Sequence, residues 1–388
     1  MKVISVIDSL GQGGAERSLL DLAVGVREHG IDIEIATLKA QTHGFRNAAE
    51  TLGVGVQTIG PGVARAAVAL RRLIRESEPR VVHSTLFDSD LVARLGAARS
   101  GVPVLTSLVN VTYDKVRLAD PKVSHLGLAW RRRVDGWTAR HLADRFHCIT
   151  RVVADSGIES LGIDPNRIRV IPRGRSREEF HPAGSGTEVQ SLRRTLGIGA
   201  DDFVLVSVGR QEWQKGHRHL IDAMPRVLAR HHNLSLLLVG REGYETSELR
   251  AQVHRLGIDE HVHFLGDRRD VPALLRASDV FVFPSVYEGL GGAILEAMAT
   301  GLPVVASRLP ATVEILGETG FFATPADAEA LAVVLDDVLS RPDLSTAGMD
   351  GHRRFLDRYE STGVMASMAD LFREVAAAGR VRTRSSRD

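Results

Sequence analysis

Short β-branched runs separated by helical stretches recur along the whole chain, and that alternation decides what it can fold into. The first series is Val3 to Ile7, Ile31 to Thr37, Val81 to Ser84, Val102 to Thr106, Arg145 to Thr150 and Ile168 to Ile171. A second follows: Phe203 to Val208, Leu234 to Val239, Val262 to Phe264, Val280 to Phe283 and Pro303 to Ala306. A strand followed by a crossover helix pairs with a parallel neighbour, so each series predicts an α/β domain around a parallel sheet. The 388 residues exceed what one hydrophobic core serves, which agrees with two Rossmann-like domains. The spacing predicts a first domain over 1–175 and a second over 188–354. Turn chemistry at Pro182-Ala183-Gly184-Ser185-Gly186 marks a hinge near 175–187. Beyond Arg341-Pro342 the pattern is helical to about Ala378, and the polar residues 379–388 are expected to form a flexible tail.

Composition narrows the class. With 44% hydrophobic and 25% charged residues the chain is too apolar for disorder and too charged for a bundle of membrane spans. Cys148 is the only cysteine, so no intramolecular disulfide forms, and a reducing compartment fits. The segment Met1 to Leu10 is interrupted by Asp8 and reads as a first strand, not as a signal peptide, and a cytoplasmic location is expected, at most peripheral to a membrane. The net charge of +1 hides a split: residues 1–180 hold 26 Lys and Arg against 20 Asp and Glu, the remainder 23 against 28. The basic first half suits either solvated helix faces or an anionic partner.

The chemistry concentrates in glycine loops. The first strand runs into Gly11-Gln12-Gly13-Gly14-Ala15-Glu16-Arg17, where a helix N-terminus and backbone amides can approach an anion. A dinucleotide fingerprint needs a third glycine where Glu16 stands and an acid where Thr37-Leu38-Lys39 stands, so NAD is disfavoured. In the second domain Val208-Gly209-Arg210-Gln211-Glu212-Trp213-Gln214-Lys215-Gly216 follows a strand. There Arg210 offers a planar fork and Lys215 a mobile point charge to a diphosphate. The segment Phe283-Pro284-Ser285-Val286-Tyr287-Glu288-Gly289-Leu290-Gly291-Gly292-Ala293-Ile294-Leu295-Glu296 ends a buried strand, exposes backbone amides and starts a helix. On one helix Glu288 and Glu296 would stand roughly 12 Å apart, too far for a paired acid and nucleophile but suited to two hydroxyl contacts on an extended ligand.

The Glu288/Glu296 spacing, the Gly209-Arg210…Lys215-Gly216 loop, the Gly13-Gly14-Ala15-Glu16 turn and Val170-Ile171-Pro172-Arg173-Gly174 occur in an order that resembles the family-4 retaining glycosyltransferases of the GT-B fold. The resemblance runs from Lys2 to about Phe372. It implies two Rossmann-like domains with a cleft between them and C-terminal helices, about 355–378, crossing back to the first domain. The implied enzyme is a hexosyl- or N-acetylhexosaminyl-transferase that moves a sugar from a UDP-sugar or GDP-sugar to an acceptor hydroxyl in glycan, glycolipid or cell-envelope polysaccharide synthesis. A GT-B-like nucleotide-sugar epimerase and a non-catalytic nucleotide-sugar-binding protein are the alternatives.

Carried over by position, the resemblance gives Arg210 and Lys215 the donor diphosphate and Glu296 the ribose hydroxyls. Glu288, with the backbone of Gly289, Leu290 and Gly291, would orient the sugar. Gly14 and Gly209 would permit close approach to phosphate, and Gly266 with Arg268 would line the base pocket. Glu288, Arg210 and Lys215 are thus the candidate catalytic residues. Gly13, His83 and Asn110 are candidates on the acceptor side, where Ser107-Leu108-Val109-Asn110 replaces the usual histidine. Arg173 stands where relatives have asparagine.

No metal or cofactor is expected. Asp88-Ser89-Asp90 precedes the helical run Leu91 to Ala98 and reads as capping, while His217/His219 and His261/His263 lack further ligands. The expected partners are the nucleotide sugar and a sugar, lipid-linked or small-molecule acceptor, with no nucleic acid. The arginine-rich stretches Arg65 to Arg75 and Leu128 to Trp137 make an anionic membrane a candidate surface partner.

Overall fold

The structure is a computed structural model that describes every residue except 42–43, 184–185, 200 and 386–388, and only the backbone of 380–385. It divides into two units, Met1–Gly174 with the chain from Ser361 onward, and Arg175–Glu360.

The first unit is built on seven parallel strands: β1 (Lys2–Ile7), β2 (Asp32–Thr37), β3 (Val56–Thr58), β4 (Val81–Thr85), β5 (Val104–Leu108), β6 (Arg145–Cys148) and β7 (Ile168–Val170), in the order β3-β2-β1-β4-β5-β6-β7. Helices on both sides bury this sheet, which is why its central strands read as continuous apolar runs with no alternation. One face packs Val3, Ile7, Ile33 and Ile35 against Leu19, Leu20 and Ala23 of the helix Gly14–Gly25 and against Met368, Phe372 and Val375 of the last helix, Ser361–Ser385. The other packs Ile4, Val6 and Val82 against Leu70, Leu73 and Val92.

The second unit holds β8 (Phe203–Val208), β9 (Leu234–Val239), β10 (Val262–Gly266), β11 (Val280–Phe283), β12 (Val304–Ser307) and β13 (Gly320–Ala323), ordered β10-β9-β8-β11-β12-β13. In each sheet the order reverses at one place, between β1 and β4 and between β8 and β11. Ligands of open α/β sheets bind beyond the carboxyl ends of the strands at such a reversal. The loop Gly11–Gly14 leaves β1, and the loops carrying Lys215 and Glu288 leave β8 and β11. All three motif loops therefore sit at the switch points of their own sheets.

Three expectations are corrected. The second unit begins at Arg175, well before 188, because Arg175 is buried there and its backbone N–H donates to the Tyr359 carbonyl at 3.0 Å. The helix Leu344–Arg358 also belongs to the second unit, where Phe355 is buried and Arg354 donates to the carbonyls of Ile315 and Glu314. Only the last helix, from Ser361, joins the first unit. That helix runs to Ser385, past the start of the expected tail at 379, whose residues 386–388 lie outside the described residues. The expected hinge likewise includes Gly184 and Ser185, which are not described.

Candidate functional site

In the second unit the loops after β8 and β11 are stitched together. The Val286 amide donates to the Gln214 carbonyl at 2.8 Å, and the Gln214 side-chain amide donates to the Tyr287 carbonyl at 3.1 Å. Gly216 makes the approach possible. Its φ is +66°, and a Cβ there would sit 2.0 Å from the Pro284 carbonyl oxygen. Lys215 then reaches Glu288, Nζ to Oε1 at 2.5 Å, while its ammonium lies 5.3 Å from the centre of the Phe283 ring. Arg210 is more exposed and pairs with Glu212 at 2.8 Å.

Gly291, with φ +89°, starts the helix Gly292–Ala299. The backbone dipoles of the helix give this end a partial positive charge. Glu288 lies in the loop ahead of the helix and Glu296 within it, so the two carboxylates occupy different backbone settings. Arg175 Nε donates to Glu296 Oε1 at 2.8 Å, and the guanidinium lies so close to Gly292 that a Cβ there would meet it at 2.7 Å. Nothing in the sequence singles out Arg175. A lone arginine in an apparent hinge carries no local pattern, and only its burial against Glu296 reveals its place.

Glycines also let the strand ends crowd together around this loop. A Cβ on Gly240 would fall 2.2 Å from the Gly209 carbonyl oxygen, and the Gly240 amide donates to the Gly266 carbonyl at 2.8 Å. Arg268 is held by a two-pronged pair to Asp270, at 2.7 and 2.6 Å, which raises the guanidinium pKa and lowers that of the carboxyl. To meet a ligand, Arg268 must trade part of that pairing. Together these loops present the Lys215 ammonium, the guanidinium groups of Arg210 and Arg268 and a helix N-terminus to an anion, and carboxylates able to accept from hydroxyls.

In the first unit Arg173 Nη1 donates to the Gly14 carbonyl at 3.3 Å, and Glu16 folds back so that its carboxylate occupies the space a Gly13 side chain would need. Arg173 is thus tied to the glycine turn of its own unit. His83 and His147 belong to a hydrogen-bonded row across β1, β4, β5 and β6. Ser5 Oγ lies 2.7 Å from His83 Nδ1, His83 Nε2 lies 2.7 Å from Ser107 Oγ, and Ser107 Oγ lies 2.8 Å from His147 Nδ1. His147 Nε2 reaches the Ile171 carbonyl at 2.8 Å. A carbonyl only accepts, so His147 carries its proton on Nε2 and takes the Ser107 proton at Nδ1. Ser107 must then accept from His83 Nε2, and His83 Nδ1 from Ser5. Every proton in the row is fixed by that one carbonyl. Burial pushes His83 down to about 3 and His147 to about 4, so both rings are neutral at pH 7. As placed, His83 has no ring nitrogen left for a ligand.

Asn110 accepts from the Val111 amide at 2.8 Å and borders a pocket of about 290 Å3 with Asp8, Asp90, Tyr113, Arg131 and Asp135. Beneath it Arg94 is fully buried, paired with Asp135 at 2.6 Å, while the Tyr113 hydroxyl donates to the same carboxylate at 2.8 Å. Asp88, Ser89 and Asp90 lie inside the first turn of the helix Phe87–Ala97, not ahead of it. The expected capping role passes to Asp8, which accepts from the Ser89 amide and hydroxyl at 3.2 and 2.6 Å. Among the described residues no three His, Cys, Asp or Glu side chains gather into a metal-holding group. No helix among them is long and apolar enough to cross a membrane.

Two family models match in sequence order: a glycosyl transferase 4-like domain over residues 13–174 and glycosyl transferases group 1 over 202–341. The lipopolysaccharide core biosynthesis mannosyltransferase LpsB of Rhizobium meliloti is 29% identical over 342 residues, 83% of this chain and 90% of its own. An Escherichia coli UDP-Gal:alpha-D-GlcNAc-diphosphoundecaprenol alpha-1,3-galactosyltransferase is 28% identical over 250 residues, 63% of this chain and 62% of its own, less than two thirds of its length. The fold is that of Anabaena HepE crystallised with UDP and glucose, with a TM-score of 0.84 at 22% identity over 96% of this chain and 100% of that one.

Proposed function

Because the chain belongs to the group 1 glycosyltransferases of the GT-B fold, we propose that it transfers a sugar, with retention, from a nucleotide diphosphate sugar to an acceptor hydroxyl in glycan or cell-envelope polysaccharide synthesis. The observation that carries this is the pair of loops after β8 and β11, stitched so that Lys215 and Arg210 stand with the N-terminus of the helix Gly292–Ala299 at the switch point of the second sheet. That arrangement suits a diphosphate. Glu296, steadied by Arg175, accepts from the ribose hydroxyls, and Glu288 with the Gly289 to Gly291 backbone orients the sugar.

In the transfer the bond from the sugar C1 to the diphosphate oxygen breaks and the bond from C1 to the acceptor oxygen forms on the same face. The acceptor proton passes to the departing phosphate. Arg210 and Lys215 stabilise the charge that grows on that phosphate, which is where fixed cations contribute most to rate. Anabaena HepE was crystallised with UDP, which supports a uridine donor, with GDP-sugars next to be tried. The acceptor belongs to the first unit. The E. coli relative acts on a diphospholipid-linked sugar, and a lipid-linked acceptor fits the helix His125–Leu142. There Leu126, Trp130 and Trp137, exposed by 85%, 62% and 53%, share a stripe with Arg133. Indole rings and guanidinium groups together match the headgroup region of an anionic bilayer.

The test is a thermal-shift screen of UDP, GDP and ADP followed by their sugars, since a ligand bound only by the native state raises the midpoint. Turnover of the best donor with extracted lipid-linked sugars then follows. A shift with UDP or GDP and transfer to such an acceptor supports the proposal. Nucleotide binding with no turnover on any acceptor would favour a binding protein.

A further inference from the structure

The first unit carries a further concavity at the opposite end of its strands from the glycine turn, beside the amino-terminal ends of β4 and β5. It encloses about 810 Å3, within the size of small-molecule sites. Ile74, Val102 and Pro103 contribute apolar surface, four arginines border it, and Glu78 is its one carboxylate.

Two helices, Val63–Ser77 and Phe87–Ala97, end here, and helix carboxyl ends attract cations. That accounts for Arg71, which donates to the Leu95 and Gly96 carbonyls at 3.0 and 3.4 Å. It does not account for Arg75, Arg80 and Arg99, whose side chains make no hydrogen bond, ion pair or ring contact among the described residues. Elsewhere on the surface arginines commonly meet an acid, as Arg72 meets Glu76 and Arg341 meets Asp343.

The backbone is held unusually as well. Glu78 and Arg99, with φ of 47° and 65°, are two of the four described non-glycine residues in the left-handed region. L side chains seldom adopt it, and such conformations persist where the surroundings impose them. Each turn leads the chain back along the groove, as Pro79-Arg80 and as Ser100-Gly101. Ala376 and Gly379 of the last helix close another side, and the sequence continues through Arg380, Arg382 and Arg384.

We propose that this groove, through Arg71, Arg75, Arg80 and Arg99, binds a phosphate-dense small molecule at a site separate from the loops of the transfer reaction. Planar guanidinium forks match phosphate oxygens, and several such forks converging on a concave surface favour a compact polyanion over a flat bilayer. The apolar floor leaves room for a carbon body between the phosphates.

The test uses tripolyphosphate as the probe, in calorimetry on the full chain carrying Arg210→Ala and Lys215→Ala, so that binding at the second unit does not contribute. Saturable binding is expected, weaker when ionic strength rises from about 0.1 M to about 1 M and the Debye length falls from about 10 Å to about 3 Å. Adding Arg75→Ser, Arg80→Ser and Arg99→Ser should weaken it by roughly 100-fold, somewhat under ten-fold per exposed guanidinium. Arg99→Gly is the variant that separates binding from folding. It relieves the left-handed strain, so the thermal midpoint should hold or rise while affinity falls. Glu78→Gln should tighten binding. Three results would overturn the proposal: no saturable binding, equal affinity in the triple variant, or loss of anionic-vesicle binding in the triple variant of a chain that ignores tripolyphosphate.

Discussion

Glu296 and Arg175 hold one another in a mostly buried pair, so removing either takes away a charge that the other was buried against. Breaking a buried pair on one side costs about 3 to 5 kcal/mol. Arg175→Ala should therefore lower the stability of the second unit by about that amount and also weaken nucleotide binding, since Glu296 is no longer steadied. Glu296→Ala should lose the ribose contact as well, a charge-assisted bond worth about 1.5 to 3 kcal/mol. Urea unfolding and calorimetry on both variants separate the two effects. Unchanged nucleotide affinity in folded Glu296→Ala would remove that residue from the site. Glu288, Glu296, Arg210 and Lys215 were legible in the sequence because they sit at fixed steps from glycines that end strands and open helices. Arg175 was not, since its meaning comes from residues 121 positions away. His83 is a candidate on the acceptor side only through the resemblance, and nothing local reveals that Ser5 and Ser107 take both of its nitrogens.

At the scale of elements, the row through His83 and His147 ties four strands together and makes the first unit sensitive to acid. Both rings are neutral when folded, whereas the unfolded chain titrates near 6.5. Unfolding therefore takes up protons as the pH drops below 6.5, and stability is lost between about 6.5 and 4, by about 1.4 kcal/mol per pH unit for each ring. Asp90, pushed up to about 8 by burial, works in the opposite sense. It keeps a proton that an unfolded carboxyl releases above its ordinary value of 3.8, and so offsets one ring through the same window. With Asp8, whose carboxyl burial also raises, adding to that offset at the acid end, the net slope should be at most about 1.4 kcal/mol per pH unit, read by urea unfolding of a Trp213→Phe chain whose remaining indoles, Trp130 and Trp137, report on the first unit. His147→Asn should flatten it, and an unaltered slope would discard the histidine row as the cause.

Gly216 is the matching weak point of the second unit. An alanine there meets both a left-handed backbone and the Pro284 carbonyl, so Gly216→Ala should cost about 1 to 3 kcal/mol and reduce diphosphate binding, because the loops after β8 and β11 can no longer close up. Equal stability and binding would mean that the loops approach without that constraint. On the helix His125–Leu142, Trp130→Ser with Trp137→Ser should abolish sedimentation with anionic liposomes at low salt. Sedimentation equal to that of the unaltered chain would place any membrane contact elsewhere. Elements with long apolar runs were readable from the sequence, but β3 and β13 were not. Both are short edge strands, one half-polar and the other opening on a glycine, so neither carries the pattern that a buried strand imposes.

At the scale of the whole molecule, the charge split sharpens with the observed boundaries. Residues 1–174 and 361–388 hold 29 Lys and Arg against 21 Asp and Glu, and residues 175–360 hold 20 against 27. The excess of basic charge thus belongs to the unit proposed to meet the acceptor, and the donor unit gathers its cations locally, at two loops. The fold class followed from the alternation of strands and helices, whereas the last helix changes unit at Ser361 because Met368, Phe372 and Val375 match the apolar face of the first sheet, a partnership no local pattern announces. The most direct test compares a nucleoside with its diphosphate in calorimetry on the unaltered chain and on Arg210→Ala with Lys215→Ala. Removing two charge-assisted hydrogen-bond donors at once should weaken the diphosphate by roughly 100-fold or more and leave the nucleoside nearly unchanged. Equal weakening of both ligands, or none for the diphosphate, would contradict the assignment of these loops to the donor.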